Sequence, residues 1–510
     1  MTSAGNAVPP PPQPPRAHKG FLRGTDAFLS AGLPMLWPLL RIIIIVILAL
    51  LTLIFTFFVP LVAVIGVNNF LAARELAAVR KVATDRGLAL SMKEYLAALP
   101  DIPDSENAAL IYLDAFEKLN SVGIDPETDC VPIVSRALAR RDPADRKVRD
   151  ARQVSLRIGR DARTPLTDYM LEDSIRYLAD RAEVLALLHQ AASLDQCQYP
   201  VDWQGFDAPP HAHLTSVHNS MLLLGVAAWV AAEEKRPADA ASRIRDSLAL
   251  TRSLKVMALG VEMELLSMTV TNLQRVVART DLSPDDLLSL EVDFSNTLAA
   301  FSARPACEAT LAFYLDLYEG FLSDSISMSA YTSEHTVRKP RLTERVLTFP
   351  DKAHLCRDEA LAIRCLLRAL DNIDSPSSDF LTGSDPVMAE INQSDYVICK
   401  EVAALLPDVV TRAEVTRARL RAVIAGLAAL RYYSDHASWP PSLDDLVPGY
   451  LDALPVDPVT AKPLIYVIKD DGIIIYSVGA NAIDDGEGYY AEPPEGTERT
   501  GDDVGFRIWK

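Results

Sequence analysis

One long uncharged run constrains the fold of this chain more than any other feature. The run covers residues 42–67, directly after Arg41, and consists mainly of Ile, Leu, Val and Phe. As a helix it would be about 39 Å long, which exceeds the roughly 30 Å of a bilayer's hydrocarbon core. It is too long for the apolar part of a signal peptide, and no cleavage site of small residues ends it. The sequence therefore predicts a transmembrane signal anchor over residues 35–68, which contacts the lipid bilayer through residues 42–67.

The flanks of this run bear on topology. Residues 1–34 are rich in proline and predict a disordered tail that cannot build a core. Basic residues on the two sides are balanced, so the positive-inside rule does not decide the orientation. They are Arg16, Lys19, Arg23 and Arg41 before the run and Arg74, Arg80, Lys81 and Arg86 after it. No other apolar run approaches the length of about 18 residues that a span needs, which predicts a single-pass protein.

Charge is distributed unevenly along the chain. The formal net charge is −18, which argues against a general nucleic-acid binder because such proteins neutralise phosphates with Lys and Arg. Residues 440–510 carry 14 Asp or Glu against 5 Lys or Arg. Residues 136–163 have the opposite bias, with 10 Lys or Arg against 4 Asp. This basic segment predicts an exposed, partly helical face, or alternatively a patch for polyanions or lipid headgroups.

Residues 70–410 have a helical pattern, with apolar residues at spacings of three and four. Pro237 suits the first turn of a helix, and Ser283 followed by Pro284 predicts an N-cap and a first helical residue. The inner face of the helix after Pro237 would carry Ala241, Ile244 and Leu248. Successive helical hairpins resemble tetratricopeptide-type arrays in pattern only, without the consensus repeat. A solenoid with a concave binding surface and a plain helical bundle both fit.

Catalytic and metal motifs are weak. His211, His213 and His218 follow two prolines, but a metal site needs three or four converging ligands, and on a helix the first two diverge by about 200°. Polar residues at a helix start are the better interpretation. Six cysteines are scattered without a C-x-x-C pair, namely Cys130, Cys197, Cys307, Cys356, Cys365 and Cys399. They predict buried thiols, or disulfides if the region lies outside the cytoplasm. We assign no catalytic residue.

From residue 411 the pattern changes. An amphipathic helix presents Leu420, Val423, Ile424, Leu427 and Leu430 on one face. A short helix capped by Ser442 and a proline-rich turn follow. Two strands, "LIYVI" and "GIIIYSV", are then joined by a hairpin turn at residues 469–472, Lys-Asp-Asp-Gly. Residues 411–510 therefore predict a small α+β lobe.

The lobe resembles a known family. "YYSDHASWPPSLDDL", "YLDALPVDP", "KPLIYV" and "IIIYSVGANAIDDGEG" follow one another as in the C-terminal domain of the major pseudopilin of type II secretion systems. The resemblance covers roughly the last fifth of the chain. Thr25 stands where the pseudopilin processing site needs a glutamate, and the apolar run begins too far along the chain for that site. The resemblance thus implies an extracytoplasmic domain on a larger anchored protein, with the N-terminus in the cytoplasm, and not an assembling pseudopilin.

The family also implies calcium binding after the last strand, at Asp484, Asp485 and Glu487. Hard oxygen donors on a glycine-containing loop suit Ca²⁺. An EF-hand is excluded because Ile483 occupies its third position and a strand precedes the loop. The alternative is that these acids only form an exposed exit from the strand.

The sequence as a whole predicts a mainly α protein. It would have a single transmembrane helix, a helical extracytoplasmic region over residues 70–410, and a small α+β pseudopilin-like lobe over residues 411–510. We expect a membrane-anchored binding or scaffold module of the bacterial envelope, with a protein partner there. The alternatives are an envelope enzyme, hydrolase-like, with its groove in the helical region, and an accessory of the secretion machinery.

Overall fold

The computed structural model of the chain describes residues 40–121, 163, 165–200, 203, 213–254, 259–323, 325–327, 352–373, 385–486 and 503–510. Two compact units, Met1–Leu71 and Ala72–Lys510, make up the chain. The Pro-rich tail of residues 1–34, the basic segment up to residue 162 and Cys130 lie outside the described residues.

The first unit is dominated by an exposed apolar helix. Helix α1 (Leu40–Asp85) is 46 residues long and contains the predicted anchor, and its residues from Ala72 onward belong to the second unit. A π-helical turn at Ile54–Phe58 precedes Pro60, whose missing N–H and ring disturb the α-helical hydrogen bonds there. A second helix, Leu214–Glu233, also meets the length and composition of a span, but 67% of its apolar window is buried in the protein, as in a core helix. The apolar N-terminal helix is thus confirmed as a candidate membrane anchor, and its sidedness stays a prediction.

The second unit is mainly helical, as predicted. Its helices are α2 (Met92–Ala97), α3 (Ala108–Ser121), α4 (Asp168–Ala179), α5 (Ala182–Ala192), α6 (Leu214–Glu233), α7 (Pro237–Arg252), α8 (Leu259–Arg279), α9 (Pro284–Ala300), α10 (Arg304–Leu322), α11 (Lys352–Asn372), α12 (Pro386–Gln393) and α13 (Ile398–His436). Short 3₁₀ turns lie at Asp104–Glu106 and Leu443–Leu446.

The predicted helix starts are confirmed. Helix α7 begins at Pro237, and α9 begins at Pro284 with the Ser283 hydroxyl accepting a hydrogen bond from the Asp286 amide. In α7 the predicted inner face of Ala241, Ile244 and Leu248 is buried. Helix α13 packs on α8, α9, α11 and the sheet, so it is the central element of the main core. A smaller core joins α3, α5 and α6.

The small sheet has three strands, one more than predicted. Strands β1 (Ile465–Lys469), β2 (Gly472–Ser477) and β3 (Val504–Trp509) form an antiparallel sheet in the order β1-β2-β3. The predicted hairpin is confirmed, because Lys469 pairs with Gly472 across the two-residue turn. Strand β3 was not predicted. It covers the second edge of β2, and all six residues of β2 are buried.

Several ion pairs join α1, and Arg86 directly after it, to α11 within the second unit, and they include two longer contacts of 3.9 Å from Glu75 to Arg357 and Arg364. Arg80 pairs with Glu359, and Arg86 pairs with Asp371. We call these four residues the α1–α11 joint. Helix α13 starts at Ile398, ahead of the change of pattern at residue 411, and so runs through the predicted boundary between the helical region and the lobe. That boundary and the solenoid arrangement stay predictions.

Candidate functional site

A groove lies against the middle of α13. It encloses about 450 Å³ between α9, α13 and the segment that follows the Leu443–Leu446 turn. We call it the lobe groove. Its lining residues are Glu291, Ser295, Leu298, Arg421, Ile424 and residues 450–456.

Most polar groups of the lobe groove already have partners. The Arg431 guanidinium lies 2.7 Å from the Glu291 carboxylate. Burial raises the pKa of Glu291, Arg431 opposes this, and the nearby Asp452 carboxylate adds to the rise. Arg421 donates to the Val456 carbonyl at 2.6 Å. These bonds hold the walls together and leave Asp452 as an exposed acid on the rim.

Apolar side chains line and flank this groove. Leu298 and Ile424 are half-buried in its lining. On α9, Leu288 and Val292 precede the lining residues Glu291 and Ser295 by three positions each and are 43% and 50% exposed. Residues three and four apart share a helix face, so an apolar stripe leads into the groove. Such a surface suits a protein segment with apolar anchors better than a small polar ligand.

The predicted calcium residues lie on the loop after β2. The Asp484 carboxylate accepts hydrogen bonds from the Tyr476 hydroxyl at 3.1 Å and from the Gly486 amide at 3.0 Å. Asn481 donates to the Asp485 carboxylate at 2.9 Å. Glu487 lies outside the described residues.

These loop residues fit a calcium ion only in part. Asp484 and Asp485 supply two of the three predicted carboxylates, and both are engaged in bonds that order the loop. In the part of the chain that the structure describes, no three His, Cys, Asp or Glu residues are grouped so as to hold a metal. The calcium site stays a prediction.

Another acidic residue, Asp457, has a structural role that was not predicted from the sequence. Asp457 is buried and accepts from the Val459 amide at 2.8 Å and the Val478 amide at 3.3 Å. It thereby ties the proline-rich turn to the end of β2. The turn could be predicted from the prolines in "LPVDPVTAKP". The hydrogen bond between Asp457 and Val478, which follows β2, could not.

Two of the three histidines in the sequence motif lie in the described part of the chain, and their surroundings do not indicate a metal site. His213 is the N-cap residue of α6 and stacks on Tyr199, with ring centroids 4.1 Å apart. His218 lies half-buried on α6, and His211 is outside the described residues.

A different histidine has a buried acidic partner. The His189 Nδ1 on α5 lies 2.9 Å from the Asp246 carboxylate on α7, and Arg243 holds the other oxygen at 2.9 Å. The Asp246 side chain is 3% exposed and that of His189 is 60% exposed. A buried carboxylate that orients an exposed imidazole is the pairing used in general-base catalysis. Nothing local in the sequence marks this pair, because its members lie on two helices that are far apart in the chain.

Among the described residues, no cysteine takes part in a disulfide bond. Cys307, Cys356, Cys365 and Cys399 are buried, and Cys197 is half-buried. Burial raises the pKa of Cys307 and of Cys365 to about 12. Such thiols are poor nucleophiles at neutral pH, so they contribute to packing.

Comparison of the chain with protein-family models, with curated proteins and with solved structures found no match.

Proposed function

We propose that this chain is a membrane-anchored binding or scaffold protein of the bacterial envelope, with Ala72–Lys510 on the extracytoplasmic side. One observation carries the proposal. The apolar anchor and the first residues of the helical body belong to one helix, α1, whose last part is paired with α11 through Arg80 and Glu359. An exposed apolar helix of this length supports attachment of the chain to a bilayer.

The lobe groove is the proposed binding surface. We expect the ligand to be a protein segment with apolar anchors and basic flanks. The apolar anchors would match the exposed Leu288 and Val292, and the basic flanks would match Asp452 on the rim and the acidic composition of residues 440–510. The pseudopilin-like pattern of the lobe supports a partner in the envelope.

Sidedness is tested by protease accessibility of a C-terminal epitope in intact and lysed spheroplasts. We expect cleavage in intact spheroplasts. Protection before lysis and cleavage after it would place the body in the cytoplasm and overturn the envelope assignment.

Binding at the groove is tested by a photo-cross-linking amino acid at Val292. Ile175 on α4, 41% exposed, is the matched control position. We expect a discrete adduct of defined mass at position 292 that Asp452→Lys weakens, and no such adduct at position 175. Equal labelling at both positions, or none at position 292, would contradict the proposed surface.

The His189–Asp246 pair favours a second candidate function, an envelope hydrolase. With Nδ1 donating to Asp246, the His189 Nε2 is left to accept a proton from an attacking hydroxyl group or water. Hydrolysis of p-nitrophenyl esters by the purified chain tests this. If the chain is a hydrolase, His189→Gln and Asp246→Asn should each reduce the rate of ester hydrolysis at least tenfold. A wild-type rate equal to the rate in buffer alone would rule out this function.

A further inference from the structure

The α1–α11 joint contains a carboxylate that is withdrawn from water. The Glu359 side chain on α11 has no exposed surface. Its Oε1 receives Arg80 of α1, with Nη2 at 2.5 Å and Nε at 2.7 Å. The opposite oxygen, Oε2, is buried without a hydrogen-bond partner among the described residues. A charged, buried carboxylate needs hydrogen-bond donors on both oxygens. Here only Oε1 has donors, so the hydrogen-bonding capacity of the ionised form is only half used.

The groups around Glu359 are mostly acidic. Arg80 faces it from α1, Glu319 and Tyr318 face it from α10, and Asp358 and Cys356 lie beside it on α11. Arg80 is also 3.8 Å from the Glu319 carboxylate, so its charge is shared between two acids. The neighbouring Asp358 carboxylate accepts three hydrogen bonds of its own.

Burial is the main influence on the protonation of Glu359. It raises the pKa from the ordinary 4.5 to about 7, with further increases from Glu319 and Asp358, while Arg80 acts in the opposite direction. When α1 leaves α11, water reaches the carboxyl group and its pKa returns toward the ordinary value.

We propose that Glu359 is a pH-sensitive latch that holds the Ala72–Asp85 part of α1 on α11 when it is protonated and loosens this contact when it is ionised. The geometry supports the proposal because one buried oxygen is unsatisfied, a single guanidinium serves two acids, and the group lies in the contact between the two helices. The latch goes beyond the proposed binding function and does not depend on it.

The direction of the pH effect follows from proton linkage. The docked state keeps the Glu359 proton to a higher pH than the undocked state does. Docking is therefore strongest below pH 4.5, weakens as the pH rises toward 7, and levels off above that value. The pKa difference corresponds to a change in the docking equilibrium on the order of 100-fold.

Hydrogen exchange measured by mass spectrometry on the full chain in lipid nanodiscs tests the latch. Exchange is measured between pH 4.5 and 8 and corrected for the intrinsic pH dependence of amide exchange. We expect the opening equilibrium of peptides covering Ala72–Asp85 to increase on the order of 100-fold over this range. Peptides covering β1 and β2 serve as an internal reference that does not change in parallel.

Three variants make the test specific. Glu359→Gln, which cannot ionise, is expected to flatten the pH profile. Arg80→Gln removes the only cation paired with Glu359 in the described residues and is expected to move the loosening to higher pH. Asp371→Asn removes the exposed partner of Arg86 and is expected to keep the wild-type profile. A flat wild-type profile, or an unchanged profile in Arg80→Gln, would overturn the latch even if Glu359→Gln fails to fold.

Discussion

At the scale of single residues, the Asp358 side chain replaces a missing helix cap. Helix α13 begins at Ile398 without a side-chain cap of its own, because Val397 stands at the N-cap position. The fully buried Asp358 carboxylate accepts from the Cys399 amide at 2.8 Å, the Ile398 amide at 3.3 Å and the Tyr318 hydroxyl at 2.8 Å. A negative charge at a helix N-terminus also matches the helix dipole.

Asp358→Ala is expected to lower the free energy of unfolding by about 2–4 kcal/mol, because it leaves two buried amides and a hydroxyl without an acceptor. Urea denaturation of the full chain in mild detergent, followed by circular dichroism, measures this. Asp371→Ala is the matched control on the same helix, where an exposed ion pair contributes less than about 1 kcal/mol. Equal effects of the two substitutions would show that Asp358 does not cap α13.

The sequence could not reveal this role. Asp358 lies on a different helix from its amide partners, far before them in the chain, and nothing in "CRDEALAIRC" distinguishes it from a solvated acid. The same holds for Glu359 and Asp246, whose partners are on other helices. Local caps, such as Ser283 on Asp286, were predictable because donor and acceptor lie in one short motif.

At the scale of elements, strand β3 packs against α13 through a close approach. A Cβ atom added at Gly426 would lie 2.5 Å from the Phe506 ring and 3.3 Å from Ile508. Glycine at this position lets the fully buried Phe506 lie directly on the helix. Strand β3 was not predicted from sequence because "VGFRIW" is short, lies well beyond β2 in the chain and pairs with it only through the tertiary fold.

Gly426→Ala is expected to loosen β3 and to destabilise the chain by about 1–3 kcal/mol, although alanine is the better helix former. Gly260→Ala on α8, where no atom of the described residues lies within 4 Å of the added Cβ, is expected to be neutral or mildly stabilising. Hydrogen exchange of Val504–Trp509 and thermal denaturation measure the two effects. A stabilising effect at both positions would mean that the packing at Gly426 is loose.

The loop after β2 carries a separate prediction. If calcium binds at Asp484 and Asp485, millimolar Ca²⁺ should raise the melting temperature of the full chain by several degrees, as expected for a ligand that binds only the folded state. Asp484→Ala combined with Asp485→Ala should abolish the rise, and Asp444→Ala, an exposed acid elsewhere in the lobe, should preserve it. An equal rise of the melting temperature in the double variant would show that Ca²⁺ acts by general screening of the negative charges of the protein.

At the scale of the whole molecule, one exposed apolar helix is the candidate membrane anchor. The side chains of residues 42–51 and 53–59 are exposed on α1, and together they form an apolar surface of the kind that a bilayer would cover. The span was the most predictable element of the chain because it depends on composition and length alone. The arrangement of the described helices around α13 was not predictable, since similar amphipathic patterns fit a solenoid and a bundle equally.

Ile47→Arg together with Leu53→Arg is expected to shift the chain from the membrane fraction to the alkaline-carbonate supernatant, because each central arginine costs about 2.5–3.5 kcal/mol of insertion. Leu288→Arg with Leu405→Arg introduces the same charge on exposed positions of the helical body and should leave the chain in the membrane fraction. Retention of the first variant would show that another part of the chain holds it there.

Asp358 and Glu359 are consecutive in α11, yet they bind different helices. Asp358 holds the start of α13, which extends into the lobe, while Glu359 holds Arg80 of α1. These two neighbouring side chains therefore connect α13 and α1 through one turn of α11. Tension applied between β2 and Ala72 is therefore expected to load the Asp358 and Glu359 contacts together with the packing of α13, and lower pH should increase the force that separates α1 from α11.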